Sequence, residues 1–190
     1  MNNFIKIAID AMGGDNSPNK IIDGIVLHNK NSKNIFYRIF GNKEIIESTI
    51  SNKRIKKENY EIIHTEEKVK DEDSALAAAK RGKNTSMWSA IESVKNKTSD
   101  IIISAGNTGA LFVISKLNLK MIENIDKPAL SGLWPNKIGM NIVLDLGANI
   151  ECNEKNLMDF SIMGSALYRS LFDNDTAKVA LLNIGSEELK

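Results

Sequence analysis

Asp100-Ile101-Ile102-Ile103-Ser104-Ala105-Gly106-Asn107-Thr108-Gly109 (DIIISAGNTG) is the stretch on which the reading of the fold turns. Three consecutive isoleucines predict a strand buried on both faces, because a half-exposed strand would alternate apolar and polar residues. The run ends at Ala105-Gly106 and opens directly into Thr108–Leu117, whose apolar residues have helical spacing. A doubly apolar strand passing through a glycine loop into a helix is a unit of a covered parallel sheet. Such sheets bind ligands at the carboxyl ends of their strands, near a switch in strand order. Gly106 and Gly109 leave backbone open there, and Ser104, Asn107 and Thr108 offer side-chain donors. That is the chemistry of a phosphate or oxyanion cradle.

The alternation repeats on either side. Phe4–Asp10 (FIKIAID) predicts a strand with Ile5, Ile7 and Ile9 on one face, followed by a helix from Pro18 to about Asn29. Strands are expected at Ile35–Phe40, Tyr60–His64, Asn141–Leu146 and Lys178–Ile184. Helices are expected after Asn42, which can cap one, and over Ser74–Lys80, Ser86–Lys97 and Asn156–Phe172. The last carries Leu157, Phe160, Met163, Leu167 and Leu171 and reads as core or dimer interface. Pro18, Pro128 and Pro135 fall in expected loops or helix starts.

Three further strand ends carry loops of interest. Ala11-Met12-Gly13-Gly14-Asp15-Asn16-Ser17-Pro18 has two adjacent glycines before a helix start, which suits close backbone approach to an anion. The same loop serves equally as a tight turn capped by Asp15 or Ser17. Asp145-Leu146-Gly147-Ala148-Asn149-Ile150-Glu151-Cys152 places Asp145 and Asn149 at the lip of the sheet, where Asp145 could also simply collect N–H bonds from its own turn. Gly185-Ser186 follows the last expected strand, with Glu187 and Glu188 in solvent. Between these, Lys80-Arg81-Gly82-Lys83 sets basic side chains beside a helix start; a solvated loop is the plainer reading. Neither G-x-G-x-x-G nor G-x-x-x-x-G-K-[ST] occurs, which sets aside a standard NAD site and a Walker-type NTPase.

Composition narrows the classes further. The 190 residues are 42% hydrophobic and 26% charged, enough for a sizeable core in a single α/β domain spanning 1–190. Lys and Arg number 25 against 24 Asp and Glu, so the basic excess of a nucleic-acid binder is missing. One cysteine, Cys152, excludes an internal disulfide framework and a cysteine-built zinc site. Two histidines, His28 and His64, argue against a histidine-rich metal centre, and no metal is expected. Lys6 and Asp10 interrupt the first apolar stretch, so no signal peptide is read there. No run approaches the roughly 18 apolar residues of a membrane span. A soluble, intracellular protein is expected.

The loops, taken together and in order, resemble a family. IAIDAMGGDNSP (Ile7–Pro18), SAGNTGAL (Ser104–Leu111), LDLGANIEC (Leu144–Cys152) and LLNIG (Leu181–Gly185) are similar to segments of the bacterial phosphate acyltransferases, the acyl-acyl-carrier-protein:phosphate transacylases. IIHTEE (Ile62–Glu67), KNTSM (Lys83–Met87), IDKPAL (Ile125–Leu130) and IMGSALY (Ile162–Tyr168) extend the resemblance over nearly the whole chain. Trp134 and Asn136 depart from the pattern. The resemblance implies a Rossmann-like three-layer α/β/α fold with a mostly parallel sheet, related in architecture to phosphate acetyltransferases. It implies transfer of a long-chain acyl group from acyl carrier protein to inorganic phosphate. The acyl phosphate would feed a glycerol-3-phosphate acyltransferase in phospholipid synthesis, without nucleotide or redox cofactor. It further implies a cytoplasmic homodimer with peripheral membrane contact, and a longer chain of which these residues form the N-terminal part.

Phosphate is already an anion at neutral pH, so the reaction asks for positioning and charge neutralisation more than for a strong base. Asn107, Thr108 and Gly109 are expected to bind phosphate with Ser104 and Gly106, while Gly13 and Gly14 close the other side. Lys83 is the candidate counter-charge. Asp15 and Asp145 are expected to orient donors, and Asn149 to take part in binding the substrate. An acyl-Cys152 intermediate with His64 as base is the sharper alternative to an inert cysteine. His28 reads as a solvated bystander. Acyl carrier proteins are acidic, and Lys80, Arg81 and Lys83 suit their docking better than Lys53, Arg54, Lys56 and Lys57. Rival readings are a short-chain acyl-coenzyme A phosphate acyltransferase and a non-catalytic phosphate-binding or oligomerisation module.

Overall fold

The structure is a computed structural model that describes residues 4–32, 34–149, 151–172 and 176–182. The chain divides into two compact units, Met1–Lys120 and Met121–Lys190. In the first, β1 (Ile5–Asp10), β2 (Ile35–Gly41), β3 (Tyr60–His64) and β4 (Ile101–Ser104) pair in parallel, in the order β3-β2-β1-β4. The chain therefore winds outward from β1 through β2 to β3, then returns to lay β4 on the other side of β1. The reversal lies between β1 and β4, so the loops that follow these two strands flank the crevice such a switch creates.

Helices α1 (Asn19–Asn31), α2 (Lys43–Ser51), α3 (Ala75–Arg81), α4 (Ser86–Lys95) and α5 (Thr108–Leu119) complete the unit. Successive β1 residues point to opposite faces. Ile7 and Ile9 meet Ile22 and Ile25 of α1 and Ile46 and Ile50 of α2, with Tyr37 and Ile39 between them. Ala8 faces the other way, against Phe40 and Ala90 of α4. A further cluster joins Ala78 and Ala79 of α3, Met87 and Ile91 of α4 and Ala110 and Ile114 of α5. Helices on both faces of a parallel sheet give the three-layer α/β/α arrangement that the sequence implied.

Most helix starts carry their own signal. Asn42 Oδ1 accepts from Ile45 N at 3.1 Å, Ser74 Oγ from Ala77 N at 3.2 Å, and Thr85 Oγ1 from Trp88 N at 3.3 Å. α1 lacks such a side-chain cap at Pro18. Its His28 is exposed yet engaged, with Nδ1 2.8 Å from the Tyr37 hydroxyl and Nε2 2.8 Å from Ser32 Oγ. His28 is thus exposed, as expected, and its ring links α1 to the Tyr37 hydroxyl of β2. Burial raises the pKa of Tyr37 above the usual phenol value.

The second unit holds an antiparallel pair, β5 (Ser131–Asn136) and β6 (Gly139–Leu144), and helix α6 (Glu154–Phe172). Asn153 and Asn156 cap α6 reciprocally, Asn153 Oδ1 accepting from Asn156 N at 2.9 Å and Asn156 Oδ1 from Asn153 N at 3.2 Å. Phe160 is buried, while Leu157, Met158, Ile162 and Leu171 are exposed. No helix among the described residues is long and apolar enough to cross a membrane.

Four expectations need correction. Ile101 and Ile103 are each 51% exposed, because β4 is the edge of the described sheet and only its Ile102 face packs into the core. The expected strand at Asn141–Leu146 begins earlier and pairs antiparallel with β5 in a separate sheet. Pro135 lies inside β5, opposite Met140, which a two-stranded edge permits. Residues 178–182 of the expected Lys178–Ile184 strand have no strand structure, and 183–184 lie outside the described residues. So do Ile150, Gly185, Ser186, Glu187 and Glu188.

The packing makes a stability prediction. Ile39 is 0% exposed at the centre of its cluster, so Ile39→Ala should cost about 2–5 kcal/mol in urea unfolding. Ile101→Ala, at the exposed edge, should cost less than about 1 kcal/mol in the same experiment.

Candidate active site

The carboxyl ends of β1 and β4 meet around one buried carboxylate. Asp10 and Ser104 are register partners on adjacent strands, which sets their side chains on the same face. Ser104 Oγ donates to Asp10 Oδ2 at 2.7 Å and accepts from Gly106 N at 3.1 Å. Ser86, the first residue of α4, donates its hydroxyl to Asp10 Oδ1 at 2.6 Å. Met12 N reaches the same oxygen at 3.3 Å. The glycine loops then lie backbone against backbone. A Cβ on Gly13 would stand 2.7 Å from Asp10 Oδ2 and 2.8 Å from Gly106 N. One on Gly14, which has φ +81°, would stand 2.5 Å from the Ala105 carbonyl oxygen. Both glycines are thus required by the neighbouring loop, independently of any ligand.

Ser17 neither caps α1 nor faces outward; its hydroxyl lies 2.9 Å from the Met12 carbonyl and 2.7 Å from that of Gly14, bracing the first loop from within. Asp15 is exposed on that loop.

Asn107 holds the start of α5. Its Oδ1 accepts from Ala110 N at 2.9 Å, and its amide nitrogen donates to the carbonyls of Asp71 at 3.0 Å and Asp73 at 2.9 Å. The side chain therefore ties the segment before α3 to the α5 loop. That segment is fastened again by Arg81, which pairs with Asp73, and by Lys70 N, which donates to Asp73 Oδ2 at 2.8 Å. The Lys70 N–H and then the Arg81 guanidinium hold the Asp73 carboxyl below its usual pKa. Over the first glycine loop the segment encloses an open cavity of about 190 Å³, lined by Met12, Gly14, Lys68, Val69, Lys70, Asp71 and Glu72. Among the described residues the N–H groups of Thr108 and Gly109 donate to no protein acceptor, as the first turn of a helix dictates. A Cβ on Gly109 would meet only ordinary contacts at 3.5 Å, so this glycine is not imposed by packing.

Lys83 is exposed in the short turn Gly82–Asn84, where it forms no ion pair among the described residues. The turn itself is set by Gly82, whose Cβ would lie 2.2 Å from the Trp88 ring. Of the other basic cluster, Lys53 pairs with Asp23 at 2.5 Å and Lys56 with Glu58 at 3.4 Å.

Asp145 and Asn149 belong to the second unit. Asp145 has φ +63°, and its Oδ1 accepts from the Asn149 amide nitrogen at 3.0 Å. The same Asn149 nitrogen donates to the Pro128 carbonyl at 3.0 Å. Cys152 Sγ donates to Asp145 Oδ2 at 3.4 Å. His64, in the first unit, accepts from Lys43 N at 3.1 Å on Nδ1 and meets Glu66 at 3.0 Å on Nε2. Among the described residues no group of three or more His, Cys, Asp or Glu side chains gathers as a metal site.

Sequence reasoning missed Asp10, Ser86, Lys68 and Lys70 as members of this constellation. An acid closing an otherwise apolar strand directly before Gly13-Gly14 is the signal that could have found Asp10. A larger depression of about 500 Å³, lined by Phe4, Lys6, Phe36, Arg38, Glu61, Lys97 and Thr98, includes the amino-end residues Phe4, Lys6 and Phe36, away from the glycine loops.

The Asp73 lock responds to pH. A depressed carboxyl pKa adds stability above the ordinary carboxylate range and loses it as pH falls through the lowered value. The protection of the Lys70 amide against hydrogen exchange, taken relative to its intrinsic rate at each pH, should therefore fall below about pH 4. Asp73→Asn should show the same loss of protection at neutral pH.

Comparison with known proteins supplies the context. Residues 5–190 match the family model described as "Fatty acid synthesis protein". A protein named phosphate acyltransferase in Pelagibacter ubique is 70% identical over 190 residues, covering 100% of this chain and 56% of that protein. One of the same name in Neorickettsia sennetsu is 42% identical, covering 98% of this chain and 55% of its own length. The chain spans about half the length of the curated relatives it matches. Among solved structures, a phosphotransacetylase from Staphylococcus aureus matches with a TM-score of 0.63 at 15% identity, over 89% of this chain and 54% of that one. One from Streptococcus pyogenes matches with a TM-score of 0.62 at 18% identity, over 90% of this chain and 55% of that one. These two likenesses establish a shared fold.

Proposed function

Because the chain belongs to the fatty acid synthesis protein family, we propose that it carries acyl transfer from a thioester to inorganic phosphate, releasing acyl phosphate. The observation that carries this reading is the meeting of two glycine loops at the β1–β4 switch, beside the unpaired N–H groups of Thr108 and Gly109. A phosphate oxygen attacks the thioester carbonyl, the tetrahedral oxyanion collapses, and the carrier leaves as thiolate, taking up a proton. Phosphate needs no strong base for this attack; it needs to be held. The Thr108 and Gly109 amides at the start of α5 supply anion-binding donors. Lys83 brings positive charge from its exposed turn. Asn107 acts through its hold on α5 and on the 70–73 segment, with Ser104 and Gly106 beneath and Gly13 and Gly14 opposite. Asp15 is proposed to orient donors in the first unit; in the second unit Asp145 is proposed as an orienting group and Asn149 as a substrate-binding one.

We take residues 1–190 as one α/β domain corresponding to the N-terminal part of longer relatives. The resemblance read in the sequence supports a long-chain acyl donor on acyl carrier protein, with Lys80, Arg81 and Lys83 as its docking charges. It likewise supports a cytoplasmic homodimer serving phospholipid synthesis, peripherally at the membrane, with a glycerol-3-phosphate acyltransferase as consumer of the product. A second reading, a phosphate-binding module that completes its site with further protein, is favoured by the exposed Ile101 and Ile103 of β4.

The test is hydroxylamine trapping of acyl phosphate from palmitoyl-acyl carrier protein, palmitoyl-coenzyme A and acetyl-coenzyme A, each with and without phosphate. Phosphate-dependent hydroxamate, strongest with the acyl carrier protein donor, is expected; phosphate-independent or absent product from folded chain overturns the catalytic reading. Asn107→Ala should lower phosphate-dependent turnover roughly 100-fold, the scale of losing preorganised donors.

A further inference from the structure

Asp10 is 1% exposed, ends the strand that is paired on both sides, and forms no ion pair among the described residues. A carboxylate so placed must be satisfied by neutral donors, because its lost hydration is expensive to leave unreplaced. It takes three, from three separate segments: the Met12 amide of its own loop, the Ser86 hydroxyl at the start of α4, and the Ser104 hydroxyl at the end of β4. Each serine has one hydroxyl proton, and both are spent on Asp10. Ser104 Oγ, its proton committed, is left as an acceptor and takes the Gly106 N–H. The chain of bonds therefore runs from Asp10 through Ser104 to the backbone of the second glycine loop. Through Met12 it reaches the backbone of the first. No donor of this network remains for a substrate, and the negative charge at its centre would repel phosphate rather than bind it.

We propose that Asp10 is a positioning residue: its carboxylate, acting through Ser104 and Ser86, fixes the two glycine loops and the start of α4 in the arrangement that acyl transfer to phosphate uses. This rests on the reading under Proposed function. The requirement is for a group that accepts three hydrogen bonds and donates none. An asparagine of nearly the same shape fails it, since its NH₂ would face either Ser86 or Ser104. Facing Ser104, it would leave that hydroxyl's proton without its acceptor; facing Ser86, it would take the acceptor from both the Ser86 hydroxyl and the Met12 N–H.

The test compares the 190-residue chain with Asp10→Asn, Ser104→Ala and the double variant, using two readouts. Amide hydrogen exchange should quicken about tenfold or more at Met12 or Gly106 in Asp10→Asn, with core amides of β2 unchanged. In the hydroxylamine assay, kcat should fall about 10- to 100-fold, the loss of one hydrogen bond to a charged group, while KM for phosphate stays within about threefold. The double variant should be no worse than the poorer single one, because both break the same chain. A folded Asp10→Asn chain with unchanged kcat, or with unchanged exchange at both amides, overturns the proposal while leaving the transfer reading intact. A wild-type chain without phosphate-dependent turnover overturns the transfer reading, and the exchange data then decide on the Asp10 coupling by themselves. If Asp10→Asn does not fold, Ser104→Ala carries both readouts.

Discussion

From Ile7 to Asp10, β1 is hydrogen-bonded along both edges and covered on both faces, so a side chain placed there is cut off from water. Ile7, Ala8 and Ile9 meet that condition by being apolar. Asp10 meets it by recruiting donors. Because those donors sit on three segments, satisfying one carboxylate ties α4 and both strand-end loops to a single point. The tight backbone approach at Gly13 and Gly14 follows, since no side chain fits between loops drawn that close. The glycine pair that first suggests a ligand cradle is thus also demanded by packing. Beside the pair lie the α5 N-terminus and the cavity that Met12 and Gly14 line together with Lys68 and Lys70.

Asn107 shows how one side chain serves local and distant structure together. Its oxygen caps α5, as its place before Thr108 suggests from the sequence. Its nitrogen reaches carbonyls 34 and 36 residues earlier, which fixes the strap carrying Lys70 and Asp73. The amide that seems free to greet a phosphate in the bare sequence is spent on backbone. Its influence on an anion is exerted through the groups it holds. Asn149 does the same in the second unit, joining Asp145 to the Pro128 carbonyl.

The elements of residues 1–120 were legible because each carries its own local cause. Asn42, Ser74, Thr85 and Asn107 announce helix starts, and the isoleucine runs announce strands. β5 was not legible. Ser131–Asn136 contains glycine, proline and asparagine with no alternation, and it is extended because β6 lies beside it. The burial of β4 was misread for a related reason: three isoleucines record hydrophobicity, whereas exposure depends on whether a neighbour covers them.

The sequence by itself determined the alternation of strands and helices, the glycine loops and the family, since these are properties of short segments and their order. Only the tertiary structure decided that Asp10, Ser86 and Ser104 form one site. Ser86 lies 76 residues and Ser104 94 residues from Asp10 along the chain. Their meeting is set by the strand order that places β4 beside β1 and by α4 packing across β1. An acid at a strand end looks like a solvent-facing residue until that order is known. The physical cause is the cost of burying a charge, and the strand order determines which residues must meet it.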